Sequence, residues 1–269
     1  MPADIVIDDG DMRLLRALPQ AQQTAVGPFV LIDHYRHQGL QGIGDRPHPH
    51  AGIEVVSYLL EGGVAHRDSL GFQDRLAAGD AQWIRAGRGM LHAEQPLSGR
   101  HGLQLWASLP PELKLAEPSY TAVRAADIPR VDSDGACLWA IAGEVGGLLG
   151  PMALSGGAVF ARLRLEPGAA STLDVDPALE LGLYVLEGSV EVGGARLWAG
   201  ELGLLGAGPQ LSVAALGGSG AELALIGGLP VQGDLLFSGP FVMDTPERLA
   251  QARLDYVYGR MGRMDGVPF

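Results

Sequence analysis

The feature that most constrains the fold is a pattern of strand and turn residues that occurs twice along the chain. Residues 55–62 read Val-Val-Ser-Tyr-Leu-Leu-Glu-Gly, and residues 181–188 read Leu-Gly-Leu-Tyr-Val-Leu-Glu-Gly. A glycine–acid turn follows in each half, at Gly79-Asp80 and at Gly200-Glu201. Self-similarity of this kind indicates two copies of one supersecondary unit. We therefore expect two domains, residues 1–134 and residues 135–269.

The composition predicts that both copies are built from strands. The 269 residues include 40 glycines and 18 prolines, which separate short apolar runs. This pattern is typical of many strands joined by tight turns. Strands are predicted at residues 52–60, 64–66 and 81–84. A clear helix is predicted only near the end, from Thr245 as N-cap and Pro246 as first residue to about Tyr258.

Charge and cysteine content narrow the possible partners and compartments. A net charge of −12 argues against direct binding of nucleic acid, which needs a positive surface for phosphate contacts. The single cysteine, Cys137, excludes an internal disulfide and is predicted to be a buried apolar residue in a reducing compartment. No secretory signal and no membrane span is visible. We expect a cytoplasmic monomer without a direct membrane or nucleic-acid partner.

Two short motifs form a candidate metal site. His48 and His50 are spaced i, i+2, and so are His92 and Glu94. Side chains two residues apart on a strand share one face, so two adjacent strands would bring three imidazoles and one carboxylate together. Such a set suits Fe(II), Mn(II), Co(II) or Ni(II) with open positions better than structural zinc. The alternative is that these are surface histidines of a proline-rich loop and one partly buried histidine.

The second copy of the repeat serves as an internal control for this site. With the turns aligned, His48 and His50 fall on Asp174 and Asp176, and His92 and Glu94 fall on Val213 and Ala215. All seven histidines lie at or before His101, so the second copy has none. If histidines served only the fold, the second copy would be expected to keep some. We therefore expect a metal in the first copy alone.

Other polar residues near the motifs have less certain roles. Glu54 either orients a metal ligand by a hydrogen bond or is a structural carboxylate at the barrel rim. We expect His66 to belong to a turn network, and we expect the remaining histidines to be surface or inter-strand residues: His34, His37 and His101. Gln104 and Trp106 are candidates to line a pocket, although a buried tryptophan is more often simply core.

The residues around both motifs resemble one known family. The stretch from His48 to Pro96 closely resembles the N-terminal cupin of the pirin family. It reads HPHAGIEVVSYLLEGGVAHRDSLGFQDRLAAGDAQWIRAGRGMLHAEQP. Flanking segments agree: Gly27-Pro28-Phe29, Gly102-Leu103-Gln104-Leu105-Trp106 and the stretch from Gly239 to Thr245. The resemblance implies an all-β fold of two tandem antiparallel cupin (jelly-roll) barrels, to which the predicted C-terminal helix is added.

The resemblance also implies a metal and a set of ligands. The family's ligand positions are matched here by His48, His50, His92 and Glu94. Iron, as Fe(II), is the expected metal, and Mn, Co, Ni or Zn are alternatives. Family members commonly carry arginine, phenylalanine and threonine where this chain has Ala51, Ile53 and Val55. We expect these departures to make the lip of the pocket less charged and less aromatic.

Two kinds of function follow from the resemblance. Some pirin-like proteins are dioxygenases, which implies a metal-dependent enzyme that cleaves a flavonol such as quercetin, with Glu94 as a candidate general base. Other pirins resemble transcriptional cofactors or modulators of an enzyme, which implies an iron-dependent redox sensor that docks on a protein partner without turnover. A cupin isomerase or sugar-binding protein is a third, weaker interpretation. The flanking segments that resemble the pirin family argue against this third class.

Overall fold

The computed structural model describes residues 1–39 and 44–264. Contacts divide the chain into two compact units. One unit, here called the histidine barrel, contains every histidine and consists of Ile5–Leu14, Asp33–Ala125 and Val231–Phe269. The other, here called the aliphatic barrel, consists of Met1–Asp4, Leu15–Ile32 and Ala126–Pro230.

Each unit is assembled from three separate parts of the chain, which the sequence repeat does not indicate. The contacts place the C-terminal segment with the histidine barrel, whereas the predicted domain 135–269 had included it in the second copy. The physical reason is apolar packing. Phe241, Met243 and Ala252 form one buried cluster with Ala51 and Met261.

Nine strands in the described ranges 1–39 and 44–264 form the first sheet, in the order β1-β2-β3-β8-β5-β7-β9, with β4 paired to β8 and β6 paired to β5. The strands are β1 (Asp4–Asp8), β2 (Met12–Leu18), β3 (Phe29–His37), β4 (His48–His50), β5 (Ile53–Asp68), β6 (Gln73–Ala77), β7 (Ala81–Arg85), β8 (Met90–Ser108) and β9 (Ser119–Val123). The pairs β4–β8, β5–β8 and β5–β7 are antiparallel.

The second sheet repeats this arrangement, with nine strands among the described residues in the order β10-β11-β14-β20-β16-β19-β15 and with β17 and β18 on β16. Strands β12 and β13 form a separate hairpin. The strands are β10 (Arg130–Ser133), β11 (Ala136–Ala142), β12 (Glu144–Val145), β13 (Leu148–Leu149), β14 (Val159–Leu165), β15 (Ala170–Asp174), β16 (Glu180–Val192), β17 (Ala195–Trp198), β18 (Leu202–Leu204), β19 (Gln210–Ala215) and β20 (Ala221–Gly228).

The repeated Glu-Gly turn is a bulge in a continuous strand. The prediction that one strand ends near residue 60 and another begins at residue 64 was wrong, because β5 runs through both segments with register shifts on either side of Gly62. Gly62 and Gly188 have φ of 75° and 77°. A Cβ atom would lie 2.1 Å from the Gly99 carbonyl oxygen in the first case and 2.2 Å from that of Gly220 in the second. Only glycine fits, so both copies keep it.

The C-terminal segment adds a hairpin and the predicted helix. It comprises β21 (Leu236–Ser238), β22 (Phe241–Met243) and α1 (Pro246–Val257). The predicted N-cap is confirmed, since Thr245 Oγ1 accepts a hydrogen bond from the backbone N–H of Arg248 at 3.2 Å. Neither α1 nor any other helix in residues 1–39 and 44–264 has the length and apolar character to cross a membrane.

The only lysine in the sequence, Lys114, fastens β22 to the chain that leaves β4. Its side chain is fully buried, and Nζ donates to the carbonyls of Gly52 and Val242, both at 2.9 Å, and to Ser108 Oγ at 2.8 Å. Gly52 has φ of 75°, and a Cβ there would lie 2.0 Å from the Val242 carbonyl oxygen. The close approach of these two backbone segments therefore requires a glycine. It buries the carbonyls of Gly52 and Val242, and Lys114 donates a hydrogen bond to each of them.

Lys114 should give the folding equilibrium a measurable pH dependence. Burial lowers the pKa of Lys114 from 10.5 to about 8, so between these values the unfolded chain holds a proton that the folded protein has released. The release of this proton should therefore increase the free energy of unfolding by up to about 1.4 kcal/mol per pH unit as the pH rises through this range. Urea unfolding at several pH values would measure it.

The matched variant is Lys114→Met, which cannot titrate. We expect it to be less stable at pH 7 by about 2–4 kcal/mol because two buried carbonyls lose a charged donor. The difference in unfolding free energy between the wild type and Lys114→Met should grow as the pH rises from 8 toward 10.5. An equal pH dependence in the two proteins would contradict the assignment.

Candidate metal centre

Strand pairing brings the three predicted histidines together. β4 is antiparallel to β8, and His48 lies directly opposite His92. The ring centroids of His48 and His92 are 4.2 Å apart, and those of His50 lie 5.1 Å from His48 and 5.0 Å from His92. One nitrogen from each of the three rings lies within 4.8 Å of the other two. The i, i+2 spacing therefore predicted this convergence correctly.

Burial keeps two of these imidazoles neutral. His92 is fully buried and His50 nearly so. Burial, followed by the neighbouring His48 and His50 rings, holds the pKa of His92 well below its ordinary value. Burial and His48 act in the same direction on the pKa of His50, against a smaller opposing effect of the Pro240 carbonyl. Neutral imidazole is the form that binds a metal ion.

Hydrogen bonding leaves ring nitrogens of this cluster available to a ligand. Neither ring nitrogen of His92 has a hydrogen-bond partner among the residues that the structure describes. His48 Nδ1 lies 3.0 Å from the carbonyl oxygen of Arg46. Because a carbonyl only accepts, Nδ1 is the donor in this contact, so Nε2 is the ring nitrogen left to bind a metal ion. Buried, neutral nitrogens of this kind fit a metal ion and are costly to leave unpaired otherwise.

Glu94 is buried beside His92, in a group that overlaps with the three imidazoles. Its Oε1 lies 3.6 Å from His92 Nδ1. It lies opposite His66 in the β5–β8 pairing, and the potential ligand atoms of His66, His92 and Glu94 fall within 4.8 Å of one another. The geometry thus brings Glu94 to His92 as predicted, but it groups the carboxylate with His66 rather than with His48 and His50.

Two polar residues that contact Glu94, and two more that contact those residues, are not predicted by the sequence. Arg100 Nη1 lies 2.8 Å from Glu94 Oε2, and Gln82 Nε2 donates to Glu94 Oε1 and, at 3.2 Å, to Ser57 Oγ. The Arg100 guanidinium lies 4.7 Å from the centre of the Tyr35 ring, and burial raises the pKa of Tyr35 to about 12. An even separation along β8 is the one sequence signal that relates Arg100 to Glu94.

The environment of His66 is the predicted turn network. His66 Nε2 lies 3.1 Å from Asp68 Oδ2, and the His66 ring stacks on Tyr120 with centroids 4.2 Å apart. Asp68 Oδ1 in turn accepts from the backbone N–H groups of Leu70 at 2.9 Å and Phe72 at 3.0 Å. The position of His66 opposite Glu94 was not predicted.

The contacts of Glu54 are structural, whereas Trp106 lies at the candidate site. Glu54 Oε1 accepts from Trp83 Nε1 at 3.1 Å and lies 3.4 Å from Arg85 Nε. These contacts favour the structural alternative for Glu54. Trp106 packs edge-to-face against His50, with ring centroids 5.0 Å apart. This position supports the prediction that Trp106 lines the site.

The remaining predicted residues lie outside the three-imidazole cluster. His34 and His101 form an inter-strand pair with their Nε2 atoms 2.7 Å apart, and burial together with His101 lowers the pKa of His34 to about 3. His37 packs edge-on against Tyr35. Cys137 is buried as predicted, and burial raises the pKa of its thiol to about 11.

The expectation about the pocket lip was wrong. Ala51, Ile53 and Val55 are all fully buried. Ile53 and Val55 pack in a cluster with Val242, and Ala51 packs with Phe241. The departures from the family's usual residues therefore lie in the apolar core. Their effect is on packing beside the histidines.

In the aliphatic barrel, the register identifies the counterparts of the candidate ligands. Val64 pairs with Pro96 in the first sheet, and its repeat equivalent, Val190, pairs with Ala215 in the second. Two residues further on, Val192 pairs with Val213 as His66 pairs with Glu94. Leu211 then takes the place of His92, and it pairs with Leu173 as His92 pairs with His48.

This register corrects the alignment made from the turns. Asp174 is exposed, whereas Leu173, Leu211 and Val213 belong to the buried core. The turn alignment is displaced by one residue on β15 and by two on β19, because the segments that join the aligned turns to these strands differ in length between the two copies. The contrast between the barrels nevertheless becomes sharper. Leucine and valine fill the interior where the histidine barrel has imidazoles and a carboxylate.

Comparison with known families agrees with this architecture. Residues 11–107 match the Pirin family, and residues 160–262 match the Pirin C-terminal cupin domain. The chain belongs to the pirin family. It is 34% identical to human Pirin over 257 residues, which cover 93% of this chain and 88% of that protein. The two-cupin fold implied by the sequence is confirmed.

Two further relatives carry the name of an activity. A putative quercetin 2,3-dioxygenase of Vibrio cholerae is 32% identical over 262 residues, which cover 93% of this chain and 92% of the relative. A crystal structure of quercetin 2,3-dioxygenase from Acinetobacter baumannii superposes with a TM-score of 0.88 at 26% identity, covering 99% of this chain and 91% of that one. This pirin therefore resembles proteins that carry the name quercetin 2,3-dioxygenase along nearly its whole length.

The three-imidazole cluster yields a direct test of metal binding. We expect wild-type protein to bind a divalent ion and His92→Ala to lose affinity by about 100-fold or more, because His92 faces both other rings and Glu94. Isothermal titration with Zn(II) or Co(II) would measure this. His34→Ala is the matched control and should bind normally, since His34 lies outside the cluster. Equal loss in both variants would contradict the assignment.

Proposed function

We propose that this pirin is a metal-dependent dioxygenase that cleaves flavonols such as quercetin. The observation that carries the proposal is the buried, neutral His92, whose ring nitrogens have no hydrogen-bond partner in the described part of the chain and which faces His48 and His50. The relatives named as quercetin 2,3-dioxygenases support the substrate class.

The proposed metal ligands are His48, His50, His92 and Glu94. Three imidazoles and a carboxylate suit iron, and Mn, Co, Ni or Zn are the alternatives that such a set also accepts. A divalent ion held there would supply a positive charge that lowers the pKa of a bound hydroxyl group. The proposal predicts that a flavonol binds through an ionised hydroxyl.

Glu94 is the proposed base for that hydroxyl. It is a buried carboxylate within 3.6 Å of His92, so it lies beside the proposed position of the reacting group. Arg100 and Gln82 contact its two oxygens, which orients the carboxylate. A general base must lie within hydrogen-bond reach of the proton it takes, and a flavonol bound at a metal ion held by the three imidazoles would meet this condition.

Trp106 is the proposed aromatic wall of the substrate site. Its ring meets His50 edge-to-face, and its Nε1 has no hydrogen-bond partner among the described residues. An aromatic wall with a free donor suits a flat ring system that carries oxygen atoms.

Turnover of quercetin by metal-loaded protein is the expected result. Metal-stripped protein would be reloaded with Fe(II), Mn(II), Co(II) or Ni(II), and loss of quercetin absorbance would be followed. Glu94→Gln should lower kcat by about 100-fold or more while quercetin still binds, because the amide cannot accept the proton. His34→Ala should keep wild-type turnover.

The alternative function would produce a different outcome. If every metal binds, quercetin binds and no turnover occurs, the dioxygenase proposal fails and an iron-dependent redox-sensing regulator becomes the better interpretation. Such a regulator would retain a protein partner in a manner that depends on the iron oxidation state. A monomeric state and a cytoplasmic location stay predictions from the sequence.

A further inference from the structure

Arg100 is a buried cation in direct contact with a carboxylate. The side chains of Arg100 and Glu94 are 4% and 2% exposed, and Arg100 Nη1 lies 2.8 Å from Glu94 Oε2. The guanidinium also covers the face of Tyr35. A buried guanidinium is costly unless it is paired, so its position against a candidate metal ligand demands a physical explanation.

Both oxygens of Glu94 already have donors within the protein. Oε2 meets Arg100, and Oε1 accepts from Gln82. The contrast with His92 is direct, since neither nitrogen of that ring has a donor or acceptor among the described residues. The protein therefore leaves an imidazole open and cancels the charge of the neighbouring carboxylate.

We propose that Arg100 is a positioning residue that withholds the negative charge of Glu94 from the metal centre. The inference rests on the proposed metal site and deepens it. The three imidazoles then form the main ligand set, and Glu94 is a weakly held, exchangeable ligand. Because less negative charge reaches the metal, the lower oxidation state of a redox-active ion is also favoured.

A purely structural role for Arg100 predicts the opposite effect on metal binding. In that case the residue would serve only to hold Glu94 and Tyr35 in place. Its replacement would loosen the site, and affinity for every metal would fall. Metal affinity and the iron midpoint potential therefore distinguish the two roles without reference to catalytic activity.

The test replaces the charge and keeps a donor. In Arg100→Gln of the full chain, Zn(II) should bind about tenfold more tightly than in the wild type, because the carboxylate is no longer shared with a cation. The Fe(III)/Fe(II) midpoint potential, measured by redox titration of the iron-loaded protein, should become more negative. Arg100→Lys keeps the charge and should stay close to the wild type in both measurements.

A double variant shows whether the effect passes through Glu94. In a Glu94→Gln background, Arg100→Gln should change neither the Zn(II) affinity nor the midpoint potential. The double variant has lost both charges of the pair, so it carries no unpaired buried charge from this pair that would endanger folding. Arg85→Met is the matched control, because Arg85 contacts the buried Glu54 outside the cluster. It should bind Zn(II) as the wild type does.

The possible failures are distinguishable. If the wild type binds no metal, the metal centre itself is wrong and this inference falls with it. If the wild type binds metal but Arg100→Gln binds it equally or more weakly, the metal centre stands and the role of Arg100 is overturned. An equal shift in the Glu94→Gln background would also overturn it, because the effect would then not pass through the carboxylate.

Discussion

The pairing of the three-residue strand β4 with β8 is the contact on which the candidate metal centre depends. It places His48 opposite His92, yet so short a strand has few hydrogen bonds of its own. Additional contacts hold the chain just after β4, because Lys114 donates hydrogen bonds to the carbonyls of both Gly52 and Val242. A segment almost 200 residues away in sequence thus supports the strand that carries two of the three histidines.

The two barrels show what the candidate site costs. Where the aliphatic barrel buries Leu173, Leu211 and Val213, the histidine barrel buries imidazoles and a carboxylate. Leucine and valine contribute about 1.5–3 kcal/mol each when fully buried, whereas an unpaired polar nitrogen is destabilising. A bound metal ion would offset that cost, since any ligand of the folded state alone stabilises it. The same backbone therefore supports one barrel closed by apolar packing and one suited to a ligand.

The sequence was sufficient for the part of the site that depends on strand periodicity. Spacings of i, i+2 placed His48 with His50 and His92 with Glu94 on shared faces, and the resemblance supplied the barrel that joins them. It was insufficient wherever a bulge shifts the register, because a bulge at Gly62 changes which residues meet across strands without changing the local pattern. The pairing of Glu94 with His66 across β8 and β5 is one consequence that the local pattern does not show. The assignment of Asp174 as the counterpart of His48 is wrong for another reason, because the segment between β15 and the Glu187-Gly188 turn is one residue longer than its equivalent before Glu61-Gly62.

The spacing of residues along the strands also does not predict the ion pair between Arg100 and Glu94. Arg100 follows a bulged stretch of β8, and nothing in its immediate sequence shows that its guanidinium turns inward to Glu94. The charge at the site therefore cannot be obtained by adding the ligands alone: with Arg100 beside Glu94, the two side-chain charges cancel, and burial keeps His50 and His92 neutral. Residues at Ala51, Ile53 and Val55 leave this balance unchanged, because they are apolar and buried in the core. What distinguishes this site electrostatically is the cation behind the carboxylate.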